Sequence, residues 1–271
     1  LPNLLKLDFQ ERAQRLKALA KYLGEHKETL YAISAHTGAT RVDSWVDIEG
    51  GAGTLFAYAG MGSNELPSGN LIHEGPALAL GKKGGFAGTH ILVPRGGIAV
   101  HINAFNFPVW GLLEKFAPAF LAGVPTLAKP ATPTAHVAEA LVRTMLESGL
   151  LPEGSLQLLV GSVGDLFDAL DHRDSVFFTG SKATADRLRR HPAFLERGAL
   201  FNAEADSLNP AILGEKATEE ELSRLAQEIA QELVIKTGQR CTAIRRVFAP
   251  RERLKALLEA TRKRLEALRL G

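Results

Sequence analysis

The stretch GGIAVHINAFNFPVWGLLEKFAPAFLAGVPTLAKPAT, residues 96–132, decides the fold class of this chain. It opens with a β-rich run at 96–102, continues with a helical run at 109–123, and closes with a second β-rich run at 125–129. Strands that alternate with helical segments are typical of βαβ units. The stretch therefore predicts an α/β fold in which a parallel sheet is covered by helices.

The same alternation continues as far as Leu213. Further strand candidates lie at 156–160, 175–179 and 199–203, and further helix candidates lie at 134–149, 163–172 and 182–191. Crossovers between parallel strands are right-handed almost without exception, and ligands bind at the carboxyl ends of the strands. We therefore expect functional residues directly after the strands.

The segments before and after this region show other patterns of predicted secondary structure. Residues 8–58 predict two helical stretches, and the Gly- and Pro-rich residues 63–94 predict connecting loops with one or two edge strands. A helix at 219–236 precedes the strand-like segment TGQRCTAIRRVFAP at 237–250. Residues 251–271 predict an amphipathic helix, which we interpret as packed on its own domain rather than as a basic partner-binding helix, because acidic residues interrupt the arginines.

Composition excludes several classes of protein. The chain has 271 residues, 45% of them hydrophobic, and 32 Lys and Arg balance 30 Asp and Glu, so we expect no nucleic-acid partner. No apolar run approaches the ~20 residues of a membrane span, so no membrane association is expected. Cys241 is the single cysteine, which excludes an internal disulfide and favours the reducing cytoplasm. No metal site is predicted.

Three features carry chemistry on their own. Cys241 lies in a polar, partly basic segment that would favour a thiolate, although free cysteines are most often inert core residues. Glu204 ends a strand-like run, where it could act as a base or serve only as a surface acid. The segment FTGSKATA at 178–185 has the form strand, Gly-Ser turn and helix start, which could bind a phosphate. It is weaker than a GxGxxG fingerprint, because Ala185 replaces a later glycine.

The order of five short segments is more specific than any one of them. The segments are Asn106 in INAFNFP, Lys129 in AKPAT, Gly180 and Ser181 in FFTGS, Glu204 in EADSLN and Cys241 in GQRCT. Together they resemble the aldehyde dehydrogenase superfamily. The sequence of residues 102–132, with EADSLN, resembles its phenylacetate-degradation and benzoyl-CoA-pathway semialdehyde dehydrogenases.

The resemblance implies a Rossmann-type parallel sheet with helices on both faces and the start of a second α/β domain. The chain is similar to the N-terminal half of such an enzyme, so activity of this piece alone is not assured. The implied domains are a helical part of the cofactor domain at 1–62, connecting and oligomerisation strands at 63–95, the NAD(P)-binding domain at 96–236, and the beginning of the catalytic domain at 237–271.

The resemblance also implies a mechanism. The Cys241 thiolate attacks the aldehyde, the Asn106 amide and the backbone N–H of Cys241 stabilise the oxyanion, and Glu204 activates the water that hydrolyses the thioester. The presence of Glu204 favours a carboxylic acid product, since acylating relatives commonly lack this glutamate. The substrate is expected to be an aldehyde, and a CoA thioester at its other end is compatible with this mechanism.

Lys129 and Thr132 bear on the cofactor. Many NAD-preferring relatives carry a glutamate three residues after the lysine, and a carboxylate would repel a 2′-phosphate, whereas Thr132 would not. We therefore expect NADP⁺ in preference to NAD⁺. The other cofactor-binding residues implied by the resemblance are Ile102, Asn103, Ala104, Thr179, Gly180 and Ser181.

Two alternatives remain at the level of sequence. The chain could be a nucleotide-binding module without turnover, although Asn106, Glu204 and Cys241 together favour a catalytic parent, expected to be a homodimer or higher homo-oligomer. A cysteine hydrolase is disfavoured because no histidine lies in a segment that suggests pairing with the cysteine. The prominent histidines, His73, His101 and His136, are interpreted as hydrogen-bonded structural or surface residues.

Overall fold

Helices and strands alternate along the middle of the chain, as the sequence predicts. The computed structural model describes residues 2–82 and 84–268. Its elements follow in the order α1 (Pro2–Leu5), α2 (Phe9–Glu25), α3 (Lys27–Ala35), α4 (Arg41–Asn64), β1 (Ile72–His73), β2 (Leu78–Ala79), β3 (Ala87–Gly88), β4 (Ile91–Leu92), β5 (Ala99–Ile102), α5 (Trp110–Leu121), β6 (Thr126–Lys129), α6 (Ala135–Glu147), β7 (Leu156–Leu158), β8 (Ser175–Gly180), α7 (Lys182–Arg189), α8 (Pro192–Leu195), β9 (Leu200–Ala205), β10 (Asn209–Ile212), α9 (Glu219–Val234), β11 (Ile244–Phe248) and α10 (Arg251–Glu266).

A five-stranded parallel sheet confirms the predicted α/β fold. Its strand order is β7-β6-β5-β8-β9, and every neighbouring pair is parallel. The chain leaves β5 toward β6 and β7 on one side and returns to β8 and β9 on the other. Such a reversal opens a crevice at the carboxyl ends of the two central strands, β5 and β8.

Apolar faces of the helices build the main core beside this sheet. Helix α5 buries Leu112, Leu113, Phe116 and Phe120 completely. These side chains join a core to which α2, α4 and α6 also contribute. Because α5 follows β5 directly, this packing also fixes the loop between them, which carries Asn106.

The predicted helix at 163–172 is wrong in extent. Only a 3₁₀ turn forms, at Leu166–Ala169. Gly164 before it takes a positive φ of 53°, and the Asp174 carboxylate after it accepts a hydrogen bond from the Asp171 amide at 3.0 Å. The same carboxylate accepts a hydrogen bond from the amide of Ile98, the residue before β5, at 2.8 Å. The end of this segment is therefore bound to the start of β5, and the predicted helix is not completed.

The region at 63–94 contains more strand than the one or two edge strands predicted. Four two-residue strands form two antiparallel pairs, β1 with β4 and β2 with β3. Additional backbone bonds extend them, from Glu74 to the His90 carbonyl at 2.9 Å and from Leu80 to the Phe86 carbonyl at 2.8 Å. Each short strand obtains its hydrogen bonds from a partner between eight and twenty residues away in the chain, a pairing that the patterns within each strand do not reveal.

A second small sheet forms after Asp206. Strand β10, which the sequence did not predict, pairs in parallel with β11. Helices α9 and α10 cover it with a small core that includes Leu213, Leu222, Ala226 and Leu257. Helix α10 thus packs on its own unit, as expected, and the last three residues of the predicted 251–271 helix lie outside the described residues.

The chain divides into two compact units, one ending at Ala205 and the other beginning at Asp206. The predicted domain limits at residues 62, 95 and 236 stay a prediction, because compact units and functional domains need not share boundaries. Within the described ranges, no helix combines the length and apolar character needed to cross a membrane.

Candidate active site

The carboxyl edge of the large sheet gathers the predicted site residues of the first unit. Asn106 lies in the loop after β5, Lys129 ends β6, and Gly180 ends β8. Glu204 is the next-to-last residue of β9. Parallel strands end at the same edge, so residues separated by a hundred positions in sequence reach one side of the sheet.

Glu204 and Thr179 share a pocket of about 380 Å³. The two residues are register partners in β9 and β8, so their side chains lie on the same face of the sheet. Glu204 is exposed. The remaining lining residues are Thr54 and Tyr58 of α4, Glu114 and Lys115 of α5, and Phe177, Phe178 and Asn202 of the sheet.

An ion pair on α5 forms one wall of this pocket and was missed in the sequence. Lys115 Nζ lies 3.0 Å from Glu114 Oε1 and donates to the carbonyl of Gly111 at 3.2 Å. The lysine side chain is only 13% exposed. The sequence could have indicated this pair, because Glu114 and Lys115 are the only charged residues in the otherwise apolar helix WGLLEKFAPAFL.

Buried polar groups at the sheet edge fit a nicotinamide dinucleotide. Both side-chain amide atoms of Asn103 and the hydroxyl of Thr179 are buried, and in the described part of the chain they have no hydrogen-bond partner. Buried polar atoms are nearly always hydrogen-bonded, so a polar ligand is a fitting partner for them. Ile102 and Ala104, beside Asn103, are half-buried.

The turn after β8 has the geometry expected for binding phosphate. Ser181 caps α7 and accepts a hydrogen bond from the Thr184 amide at 3.3 Å. Gly180 precedes it, and a Cβ there would lie 2.6 Å from the Phe178 ring. The free N–H groups of a helix N-terminus favour an anion.

Lys129 and Thr132, the predicted determinants of cofactor choice, lie beyond β6. Lys129 is half-buried, and its Nζ donates to the Pro130 carbonyl at 3.1 Å. Thr132 is exposed at the start of a 3₁₀ turn, Thr132–Thr134, which leads into α6. Neither side chain is fully buried, so both are accessible to a ligand at this edge of the sheet.

Cys241 belongs to the second unit, where its side chain is exposed. Its backbone carbonyl accepts a hydrogen bond from the Asn209 amide at 2.6 Å and another from the Ser207 hydroxyl. Asn209 also donates to the Ala243 carbonyl at 3.1 Å. Ser207 and Asn209 in the segment after Glu204 thus hold the backbone at the cysteine and two residues after it.

The backbone before Cys241 is unusual. Lys236, Thr237 and Gly238 all have positive φ, at 52°, 54° and 70°. Left-handed conformations are costly for residues other than glycine and are common near functional sites. Arg240, expected from sequence to favour a thiolate, is paired with Glu232 at 2.8 Å, so its charge is compensated.

The three prominent histidines lie in different environments. His73 and His136 are exposed. His101 is buried in β5, its ring edge against Phe177, and burial lowers its pKa to about 3, with Lys115 adding to the effect. It is a structural residue, and within the described ranges its Nδ1 has no hydrogen-bond partner. Among the described residues, no group of three potential metal ligands forms.

Comparisons with known proteins agree on one family. The model of the aldehyde dehydrogenase family matches residues 2–271. The 3,4-dehydroadipyl-CoA semialdehyde dehydrogenase of Aromatoleum evansii is 44% identical over 271 residues, which are 99% of this chain and 52% of that relative. This chain therefore spans about half the length of that curated relative.

Solved structures share the fold. PnpE in complex with nicotinamide adenine dinucleotide has a TM-score of 0.86 at 24% identity, and the match covers 100% of this chain and 53% of PnpE. An NADP dependent enzyme of E. coli has a TM-score of 0.84 at 21% identity and is covered to 54% by the whole of this chain. With the family model matched over almost every residue, this chain belongs to the aldehyde dehydrogenase family.

Proposed function

We propose that this chain is part of an enzyme that oxidises an aldehyde to a carboxylic acid with NAD(P)⁺. The overall reaction consumes the aldehyde, NAD(P)⁺ and water, and releases the acid, NAD(P)H and a proton. The observation that carries the proposal is the grouping of Asn106, Glu204 and the buried unpaired side chains of Asn103 and Thr179 at one edge of the sheet. Membership of the aldehyde dehydrogenase family supports the same reaction.

Cys241 is proposed as the nucleophile. Its thiolate adds to the carbonyl carbon, a C–S bond forms, and the carbonyl π electrons move to the oxygen. The Asn106 amide and the backbone N–H of Cys241 donate hydrogen bonds to that oxyanion. NAD(P)⁺, when bound, supplies the hydride acceptor that converts the adduct to a thioester. These roles rest on the family resemblance.

Glu204 is proposed as the general base for the second half of the reaction. It removes a proton from the water that attacks the thioester carbonyl, and cleavage of the C–S bond releases the acid and restores the thiolate. Its exposure in the pocket is consistent with access to water. Glutamate rather than a neutral residue at this position supports hydrolysis over transfer of the acyl group to CoA.

We further propose NADP⁺ as the preferred cofactor. Lys129 and Thr132 support this choice, since an ammonium group is available for a 2′-phosphate and no carboxylate lies at residue 132 to repel it. Asn103, Thr179, Gly180 and Ser181 would hold the rest of the dinucleotide.

The proposed substrate is a CoA-linked semialdehyde from the degradation of an aromatic ring. The name of the relative that is 44% identical, 3,4-dehydroadipyl-CoA semialdehyde dehydrogenase, supports this class. The full-length protein that contains this chain should therefore oxidise a CoA-linked semialdehyde faster than the same semialdehyde with a free carboxylate.

The test is a turnover assay of that full-length protein with both substrates and both cofactors, followed by mass spectrometry of the product in isotopically labelled water. We expect a new carboxyl group with at least one labelled oxygen, because hydrolysis adds one oxygen from water and exchange of the aldehyde with water can label the other. A new thioester formed in the presence of added CoA would contradict hydrolysis. Cofactor binding with no turnover of any aldehyde would favour the nucleotide-binding module instead.

A further inference from the structure

The first turn of α5 is held by a carboxylate from another helix. Asp47 of α4 is completely buried. Its Oδ1 accepts a hydrogen bond from the Trp110 amide at 2.8 Å and from the Val109 amide at 3.2 Å. The N-cap residue of α5, Val109, makes no side-chain capping bond. The acceptor for the first amides of α5 therefore comes from α4.

The same face of α4 is shaped to receive α5. A Cβ on Gly50 would lie 2.3 Å from Cζ3 of Trp110, and a Cβ on Gly51 would lie 2.9 Å from its Cα. Both distances are shorter than real Cβ contacts, so only glycine permits this approach. Asp47 and Gly50 are three residues apart and Asp47 and Gly51 four, which places them on one helical face.

The loop held in this way is the one that carries Asn106. At its start, the backbone N–H of Asn103 donates to the Lys129 carbonyl at 3.0 Å. In its middle, the Thr134 hydroxyl donates to the Phe105 carbonyl at 3.1 Å. At its end, Val109 and Trp110 donate to Asp47, so Asn106 lies between two anchored points.

We propose that Asp47 is a positioning residue for the Asn106 amide. The inference rests on the proposed role of Asn106 in oxyanion stabilisation. A carboxylate at a helix N-terminus is favoured by the helix dipole, and without it the amides of Val109 and Trp110 lose their acceptor. The loop end then moves, and displacement of an oxyanion donor by about 1 Å is enough to cost on the order of 10²-fold in rate.

The experiment uses the full-length enzyme, with kcat expressed per cofactor-binding site. We expect Asp47→Ala to lower kcat by about 10- to 100-fold, while the Kd of NADP⁺ changes by less than about threefold. Asp47→Asn keeps an Oδ1 acceptor for Trp110 and should recover most of the lost kcat. Asp43→Ala is the matched control, because Asp43 lies one turn earlier in the same helix and takes part in the capping box at its start.

A second pair of variants keeps the test valid if Asp47→Ala does not fold. Gly51→Ala places a methyl group against the Trp110 backbone and should lower kcat in the same way. Gly53→Ala makes the identical change two residues later, where a Cβ meets nothing within 4 Å, and should leave kcat unchanged. Equal kcat in the two glycine variants would overturn the inference.

The double variant Asp47→Ala/Asn106→Ala separates this inference from the proposed function. Asn106→Ala alone should cost about 10²–10³ in kcat. If Asp47 acts through Asn106, the double variant is no slower than Asn106→Ala, whereas independent effects would multiply and overturn the inference. Parent-like kcat in Asn106→Ala would instead overturn the proposed role of Asn106, and with it the basis of the positioning role.

Discussion

Thr179 of β8 and Glu204 of β9 are register partners in neighbouring parallel strands and line the same pocket. A shift of one residue in this pairing would turn Glu204 to the opposite face and bring Ala203 or Ala205 into its place. The position of the proposed base is therefore set by the backbone register, and its side chain can be changed without altering the sheet.

Glu204→Gln should slow thioester hydrolysis more than the first turnover. The amide keeps the shape of the side chain but cannot accept the proton of water, and general-base catalysis is worth typically ~10²–10⁴ in rate. Rapid mixing of the full-length variant with aldehyde should show a burst of reduced cofactor followed by a slow steady state. Glu215→Gln, at an exposed loop residue, is the control. Equal loss of burst and steady state would assign Glu204 an earlier role.

Cys241→Ala should abolish aldehyde oxidation in the full-length protein. The thiol is needed to form the covalent adduct, and the proposed cofactor contacts lie on other residues, so the Kd of NADP⁺ should stay within a few-fold of the parent value. Steady-state assays and calorimetric titration of the cofactor measure the two effects. Thr242→Ala changes the exposed neighbour as a control. Activity above a few per cent in the alanine variant would rule out the nucleophile assignment.

Thr132→Glu should weaken NADP⁺ and favour NAD⁺. The new carboxylate would face the 2′-phosphate, and like charges a few ångströms apart cost on the order of 1 kcal/mol even in a wet site, or several-fold in affinity. Fluorescence titration of both cofactors gives the ratio of the two dissociation constants. Thr132→Gln has the same size without the charge and should keep the parent ratio. An unchanged ratio in the glutamate variant, or a parent that prefers NAD⁺, would contradict the proposal.

His101→Leu should reduce the loss of stability in acid. Burial lowers the pKa of His101 to about 3, so between the unfolded-state value of 6.5 and about 3 only the unfolded chain takes up the proton. The free energy of unfolding therefore falls as pH decreases through this window, by about 1.4 kcal/mol per pH unit for one proton.

Thermal unfolding midpoints of the full-length protein across that pH range measure the effect. The parent should lose Tm more steeply than His101→Leu as the pH falls. His136→Leu removes an exposed imidazole from α6 and should retain the steep parent curve. Parallel curves for the parent and His101→Leu would show that His101 does not control this acid sensitivity.

Local patterns were sufficient where a segment depends mainly on its own residues. The βαβ pattern at 96–132 predicted β5, α5 and β6, because strand and helix periodicities are visible within each segment. The same reasoning was wrong for 163–172, where the Asp174 carboxylate binds the Asp171 amide, which a helix would have used. Strand β10 was missed because its partner, β11, lies more than thirty residues later in the chain.

The sequence by itself determined the family and the candidate residues, because the order of Asn106, Lys129, Gly180, Glu204 and Cys241 is a property of the chain and needs no coordinates. Only the tertiary structure decided that Glu204 shares a pocket with the ion pair of Glu114 and Lys115, and that Asp47 holds the loop of Asn106. These contacts join residues far apart in sequence, and their existence depends on strand register and helix packing. Neither of these leaves a periodic pattern in the residues concerned.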